Sequence, residues 1–348
     1  MKKNELLTYN EVLRELPSTK HLLLGNGFSI GCDPIFEYKN LFDYVKKKGL
    51  SENLIKVFKY LGTNNFEGVL KLLEDIEWGR KQYDLIYGEA SQSTVKDDLK
   101  ATKKKLVSAI AETHLAHSGL IEGNKEESCV NFLLPYKNIF TTNYDLLLYW
   151  ISMYGLERLQ EQDGFRESLD DPDAEYLVFR ERVGGNNGIF FIHGALHIYV
   201  QDGEVRKHCW VRSDKPLIEL VKEGLGKQEY PLFVAEGKPE KKLEQIQGSG
   251  YLSYCFGKFE RIEKALVVYG SSLNESDQHI LHAIAGNHKL ENLYIGLHGK
   301  LDKKSNQKVM IIAESLKTRR DKLLQKIRTG KKLNIYYYDS RSANVWGK

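Results

Sequence analysis

Cysteine is scarce in this chain, and long apolar runs are missing from it. Four cysteines in 348 residues are too few and too far apart to predict a disulfide framework or a zinc ribbon. We expect buried thiols at Cys32, Cys129, Cys209 and Cys255. No apolar run approaches the roughly 20 residues that a membrane-spanning helix needs, and the first residues show no signal-peptide pattern. We therefore expect a cytoplasmic protein with no membrane partner.

An excess of one charge sign is also missing. The chain has 51 basic and 47 acidic residues, a net charge of +4, which is too balanced to predict a nucleic-acid-binding protein. The basic surplus is local, at 100 to 105 and at 317 to 332, and the second stretch includes Arg319, Arg320, Lys322, Lys326 and Arg328. We interpret both stretches as solvated helix faces.

Short apolar runs alternate with long stretches of helical periodicity. Six runs predict strands, at 21 to 24, 138 to 140, 189 to 192, 265 to 269, 292 to 295 and 333 to 338. Because their apolar character is continuous, they fit a mainly parallel sheet that is covered by helices. The sequence therefore predicts an α/β fold, with helices on both faces of the sheet and a helical insertion at about 40 to 135.

Further patterns predict a hairpin and several helices. Alternating runs at 197 to 200 and 204 to 211 flank Asp202-Gly203, a pair that is typical of a hairpin turn. Helices are predicted at 216 to 225 and 238 to 263, and a long basic helix precedes the last strand.

Polar residues and glycines follow four of the predicted strands, where an open parallel sheet places its ligand crevice. The first strand ends in Gly25-Asn26-Gly27-Phe28-Ser29. Its glycines permit positive φ and would let backbone amides approach a pyrophosphate. A plain strand-to-helix turn explains the same residues, since their spacing differs from the G-x-G-x-x-G fingerprint.

The second polar segment, Thr141-Thr142-Asn143-Tyr144-Asp145, directly follows a predicted strand. Its hydroxyl, amide and carboxylate groups can point into the crevice. Helix capping is the alternative, because Thr and Asn are good N-caps and Asp suits a first helical turn.

A histidine and a second glycine turn complete the pattern. His193 follows four apolar residues, and its pKa range suits a general base, although a structural histidine is the alternative. Gly270-Ser271-Ser272-Leu273 follows the fourth strand and offers hydroxyls to a phosphate or a ribose. We interpret Asn274 and Asp277 as a capping pair.

Taken in order, these four segments resemble the signature of the sirtuin-like superfamily of NAD-consuming enzymes. Further segments at 231 to 237, 251 to 253 and 269 to 280 resemble a bacterial branch of that superfamily, and the similarity covers roughly residues 20 to 340. The resemblance implies one Rossmann-like domain over residues 1 to 348, with Asn143 and His193 as catalytic residues at the nicotinamide ribose.

The resemblance also implies a set of cofactor-binding residues. The turn that comprises Gly25, Asn26, Gly27, Phe28 and Ser29 is implied to cradle phosphates. Asp145 is implied to lie near the nicotinamide, and Thr142 is a further expected cofactor-binding residue. Gly270, Ser271 and Ser272 are implied to hold the adenosine half.

Two departures count against a protein deacylase. The four-cysteine zinc ribbon is missing, and Asn26 replaces the small alanine of the sirtuin turn. The resemblance therefore implies an NAD+ hydrolase that needs no metal and depletes NAD+ during phage infection. A deacylase or ADP-ribosyltransferase, and a binding module that senses NAD+ or ADP-ribose, are the alternatives.

The sequence gives less direct indications of binding partners. We expect a homo-oligomer, and the resemblance admits a co-encoded, ring-shaped DNA-translocating ATPase as a partner. The basic helix at about 317 to 332 could serve such an assembly, whereas direct nucleic-acid binding is not expected because that helix lacks interleaved aromatic residues.

Overall fold

The computed structural model describes residues 6–88, 94–160, 162–181, 187–227, 229–234, 238–327 and 329–347. Arg328 and residues 235 to 237, which were singled out in the sequence, lie outside the described residues.

The described residues form two sheets and a set of surrounding helices. The strands are β1 (Lys20–Leu24), β2 (Asn138–Thr141), β3 (Phe165–Glu167), β4 (Tyr176–Phe179), β5 (Gly188–Phe191), β6 (Gly194–Gln201), β7 (Glu204–His208), β8 (Pro231–Phe233), β9 (Lys264–Tyr269), β10 (Leu290–Leu297) and β11 (Asn334–Asp339). The helices are α1 (Tyr9–Glu15), α2 (Gly27–Cys32), α3 (Tyr38–Lys47), α4 (Glu52–Leu61), α5 (Phe66–Tyr87), α6 (Val95–Thr113), α7 (Lys125–Leu133), α8 (Leu147–Tyr154), α9 (Leu156–Leu159), α10 (Leu217–Gly226), α11 (Pro239–Gln247), α12 (Gly250–Glu260), α13 (Gln278–Gly286) and α14 (Lys304–Ile327).

The main sheet is parallel throughout and has the order β11-β10-β9-β1-β2-β5. It contains all six predicted strands, so the predicted α/β fold with a parallel sheet is confirmed. In β1 the last four residues are buried, as expected for a strand that is covered on both faces. Its Leu24 pairs with Thr141 on one side and with Tyr269 on the other.

The strand order reverses direction between β1 and β9. Numbered along the chain within this sheet, the strands follow the order 3-2-1-4-5-6 of the doubly wound dinucleotide-binding fold. In such sheets the ligand crevice lies outside the carboxyl ends of the strands, at this reversal. The turns that follow β1 and β9 occupy that position.

Helices fill the region between β1 and β2, and the helical character predicted there is confirmed. Helices α3 to α7 run from 38 to 133. Local sequence sets their bounds: for example, the Ser51 hydroxyl accepts from the Leu54 amide at the start of α4, and Gly62 ends that helix with φ +59°. Leu54 and Phe58 form the buried face of α4.

A second, antiparallel sheet has the order β3-β4-β7-β6-β8. The predicted hairpin is confirmed as β6 and β7, and both Asp202 and Gly203 adopt positive φ. Strands β3, β4 and β8 were not predicted. The single helix predicted at 238 to 263 is two helices, because Ser249 begins a new helix by accepting from the Leu252 amide.

Among the described residues of the stretch at 317 to 332, every lysine and arginine except Arg320 is exposed, so the interpretation as a solvated face is wrong for Arg320. Arg320 is fully buried. Its guanidinium donates to five backbone carbonyls near the end of α13 and the starts of β10 and β11, those of Ile284, Ala285, Asn287, Leu290 and Lys331. Burial lowers the pKa of Arg320 to about 10, so the guanidinium stays charged at neutral pH. This side chain ties α14 to the helix and strands beside it.

Two expectations from composition concern the cysteines and the membrane. All four cysteines are buried free thiols, as predicted. Within the described residues, no helix has the length and apolar character to cross a bilayer.

Candidate functional site

A cavity of about 340 Å³ opens at the carboxyl ends of β1, β2 and β9, where the strand order reverses. Its volume lies within the range of small-molecule sites. The cavity brings together these residues that were predicted for the site: Gly25, Asn26, Gly27, Thr142, Asn143, Asp145, His193, Gly270, Ser271 and Ser272.

The helical region between β1 and β2 also lines the cavity, mainly with apolar side chains. Phe36, Leu41, Leu106 and Ile110 line it. The sequence predicted helices in this region but assigned them no part in the site. The cavity therefore combines polar residues of the strand-end turns with mainly apolar residues of the helical region.

Phe28 and Ser29, which were predicted to cradle phosphates, are not among the residues that line the cavity. The Phe28 ring is buried against Trp346, with ring centroids 4.9 Å apart, and its carbonyl accepts from the Trp346 indole N–H at 2.6 Å. Ser29 is fully buried behind the cavity wall. Both residues support the site without reaching its interior.

The glycines of the two turns are required by contact between the turns themselves. A Cβ on Gly27 would lie 2.6 Å from the Gly270 Cα, and a Cβ on Gly25 would lie 2.6 Å from the Ser271 Cα. The Gly25 and Gly27 amides donate to the carbonyls of Tyr269 and Gly270 at 2.9 and 2.8 Å. These two amides are therefore already bonded to the second turn.

Asn143 lies between the turns and faces the cavity. Its Nδ2 donates to the Gly25 carbonyl at 3.1 Å and to the Ser29 hydroxyl at 2.9 Å. With both amide hydrogens used, the amide plane is fixed and Oδ1 remains as an acceptor. The capping alternative is wrong for Asn143, since α8 begins at Leu147 and Asn143 caps no helix.

Asp145 holds the other end of this polar network. One carboxylate oxygen accepts from the Ser29 hydroxyl, and the other accepts from the Leu147 amide at 2.9 Å. The second bond supports the start of α8, so the capping alternative holds in part for Asp145. His114 lies nearby, and its Nε2 accepts from the Leu146 amide at 3.0 Å. Burial lowers the pKa of His114, although the charge of Asp145 opposes the shift.

His193 lines the cavity beside Asn143 but is itself almost fully buried. Its Nε2 lies 2.8 Å from Nε2 of His279 in the first turn of α13. Its backbone carbonyl accepts from the Val234 amide at 2.8 Å, and the Tyr144 hydroxyl donates to the Val234 carbonyl at 2.6 Å. These bonds fix the imidazole relative to the polar turn after β2.

Asp277 belongs to this cluster, so its interpretation as part of a capping pair is wrong. Its carboxylate accepts from the Lys242 ammonium at 2.9 Å, and the Lys242 side chain is fully buried. Asn274 instead bonds to the next amide along the chain, that of Glu275. The ion pair joins α11 to the turn before α13, directly behind the two histidines.

The surroundings keep both histidines neutral at neutral pH. Burial holds the pKa of His193 well below its ordinary value, His279 and Lys242 add to this shift, and the charge of Asp277 opposes it. For His279, burial lowers the pKa to about 4. Burial disfavours the charged form of Asp277, but Lys242 and the imidazoles outweigh it and lower the pKa of the carboxyl.

Residues 22–346 match the family described as a domain of unknown function (DUF4917). The chain belongs to this family. No curated protein matches it significantly. The family match includes residues of every strand in both sheets and all the residues that line the cavity.

One group in this DUF4917 chain has the spacing of metal ligands. Among the described residues, His193, Asp277 and His279 present ligand atoms that lie within 4.8 Å of one another. The Lys242 ammonium already bonds to the carboxylate, and the two imidazoles bond to each other. The cluster is thus charge-balanced by a lysine, and a divalent cation would have to displace it.

Sequence reasoning missed Lys242 and His279 because both lie in helices, away from the strand-end turns. A signal for Lys242 does exist. It lies four residues before Ile246, and these two are the buried residues of α11. A lysine on the apolar face of an amphipathic helix indicates a buried partner.

Proposed function

We propose that this protein is an NAD+ hydrolase that cleaves the bond between nicotinamide and ribose, with water as the acceptor. The observation that carries the proposal is the pairing of Asn143 and His193 in one cavity at the strand-order reversal. That position suits a dinucleotide in a doubly wound sheet. The resemblance to sirtuin-like hydrolases supplies the choice of NAD+.

The geometry suits the chemistry of this reaction. As the C1′–N bond breaks, nicotinamide leaves as a neutral base and the ribose gains oxocarbenium character. Asn143 Oδ1, whose amide plane is fixed by two bonds, can accept from a ribose hydroxyl or from the attacking water. The water oxygen bonds to C1′, and its proton passes to neutral His193.

Hydrolysis is favoured over deacylation by the distribution of cysteine. All four cysteines are buried free thiols in separate parts of the chain, so they do not form the zinc ribbon that builds the acyl-lysine cleft of deacylases. We further propose that NAD+ depletion during phage infection is the biological setting. This setting rests on the resemblance alone.

Product analysis tests the proposal. Purified protein is incubated with NAD+, and nicotinamide and ADP-ribose are quantified by chromatography, alone and with any co-encoded ATPase. Equimolar release of both products is expected, with a loss of about 10²-fold or more in His193→Ala, the lower range for a general base. Tight binding of NAD+ without release would instead identify a sensing module. Neither binding nor release under both conditions would refute the proposal.

A further inference from the structure

The proposed base does not act alone in the cavity wall. Nε2 of His193 and Nε2 of His279 lie 2.8 Å apart. At this distance the two nitrogens share one hydrogen, because a hydrogen bond needs one donor and one acceptor. The proton position on one ring therefore fixes the proton position on the other.

The groups around the pair come from three helices, from the turn before α13 and from the turn after β2, whose Tyr144 ring stacks on His193 with centroids 6.4 Å apart. Lys242 reaches in from α11, and Asp277 stands before α13. Phe256 from α12 packs on His279, with ring centroids 5.7 Å apart, and His282 lies one turn further along α13. The carboxylate of Asp277 favours protonation of both imidazoles, and the ammonium of Lys242 disfavours protonation of both. His282 also disfavours protonation of His279.

We propose that His279 is a positioning residue for His193. Its Nε2 accepts the hydrogen of His193 Nε2, which leaves Nδ1 of His193 as the free base for the cavity. The inference rests on the proposed hydrolase function, because a base toward substrate needs that free lone pair.

The proposed arrangement gives a complete path for one proton. Water forms the new bond to C1′ and gives its proton to His193 Nδ1. The resulting imidazolium keeps its second N–H bonded to His279 Nε2, and the carboxylate of Asp277, within 4.8 Å, stabilises the positive charge. The proton returns to solvent after the products leave.

Two substitutions of His279 separate the hydrogen bond from packing. His279→Gln keeps an acceptor near the position of Nε2, whereas His279→Leu keeps the bulk but removes the acceptor. His279 Nδ1 has no partner among the described residues, so leucine leaves no further group unbonded on that side. His282→Gln is the matched control, because His282 is exposed and, like His279, lines a second cavity that lies between α11, α12 and α13.

We expect His279→Leu to lower kcat by about 10²-fold with KM within about threefold, because general-base efficiency depends on the free lone pair. His279→Gln should retain most of the turnover, and His282→Gln should match the parent. Nitrogen-15 spectra of histidine-labelled protein, assigned with His193→Gln, should show His193 protonated at Nε2 in the parent and a mixture of tautomers in His279→Leu.

The spectra decide the inference even when turnover cannot be measured. If the parent fails to cleave NAD+ but His193 carries its proton at Nε2, the proposed function fails and the positioning role stands. A parent His193 that is protonated at Nδ1 would overturn the inference. Parent-like turnover in His279→Leu would overturn it as well.

Discussion

Asn143→Ala should abolish NAD+ cleavage while the fold survives, and the structure sets the expected cost in stability. The substitution removes two hydrogen bonds, to the Gly25 carbonyl and to the Ser29 hydroxyl. At about 0.5–1.5 kcal/mol for each bond, the free energy of unfolding should fall by about 1–3 kcal/mol. The side chain already borders the cavity, so water can enter the vacated space and little further penalty is expected.

This loss corresponds to a small change in the melting temperature. An unfolding entropy of about 2.1 cal/mol/K per residue, over 348 residues, gives about 0.7 kcal/mol/K. Tm should therefore fall by about 1–4 °C. Nicotinamide release per folded molecule should fall by about 10²-fold or more, because Asn143 would no longer orient the ribose or the water.

Asn306→Ala is the matched control for this experiment. Asn306 is a buried asparagine in α14 whose Nδ2 donates to the His298 and Lys300 carbonyls at 3.2 and 2.8 Å. It has the same residue type, similar burial and the same number of bonds, but it does not line the cavity. Its substitution should lower Tm by a similar amount and leave turnover unchanged. Equal turnover in Asn143→Ala and the parent would refute the assignment of Asn143 to the chemistry.

Three further predictions concern stability. Arg320→Met should cost about 3 kcal/mol or more in urea unfolding, because five backbone carbonyls, three of them in buried bonds, lose their charged donor; a near-parental midpoint would contradict the anchoring role. Gly27→Ala should lower Tm clearly, since its Cβ would lie 2.6 Å from the Gly270 Cα, and an unchanged Tm would contradict that contact. His21 is buried with both ring nitrogens unpartnered among the described residues, and burial lowers its pKa to about 4. Between pH 6.5 and 4 the unfolded chain binds a proton at His21 and the native chain does not, so the free energy of unfolding should fall as the pH falls. His21→Leu should reduce the slope of the free energy of unfolding against pH by up to about 1.4 kcal/mol per pH unit. Urea titrations at pH 7, 6 and 5 measure the slope, and an identical slope in the variant would exclude His21 as a cause.

The main sheet was predictable because its strands carry apolar runs, most of which are buried in the fold, although in β11 only Tyr338 is buried. In β9, for example, Ala265 to Val268 are all buried. Strands β3 and β8 have three residues each, which is too short for any periodicity to show. They exist because neighbouring strands of the second sheet pair with them, and that pairing is a tertiary effect.

The candidate site was likewise predictable only in part from the sequence. The turns after β1, β2 and β9 were predictable because the carboxyl ends of parallel strands meet at one edge of the sheet. The Lys242–Asp277 ion pair joins residues 35 positions apart, and the bond between His193 and His279 spans 86. Local patterns carry no record of such contacts, so the polar groups around His193 emerged only from the folded chain.

The glycine turns show why such a motif cannot by itself assign a ligand. Gly25, Gly27 and Gly270 are required because the backbones of two turns meet at distances that exclude a Cβ. That contact follows from the strand order, and it would demand glycine whether or not a nucleotide binds beside it. The side chains of Asn143 and His193 are not required by the contact between the turns. The proposed function assigns the chemistry to them, so substitutions at these two residues, rather than at the glycines, can distinguish an enzyme from a fold that merely resembles one.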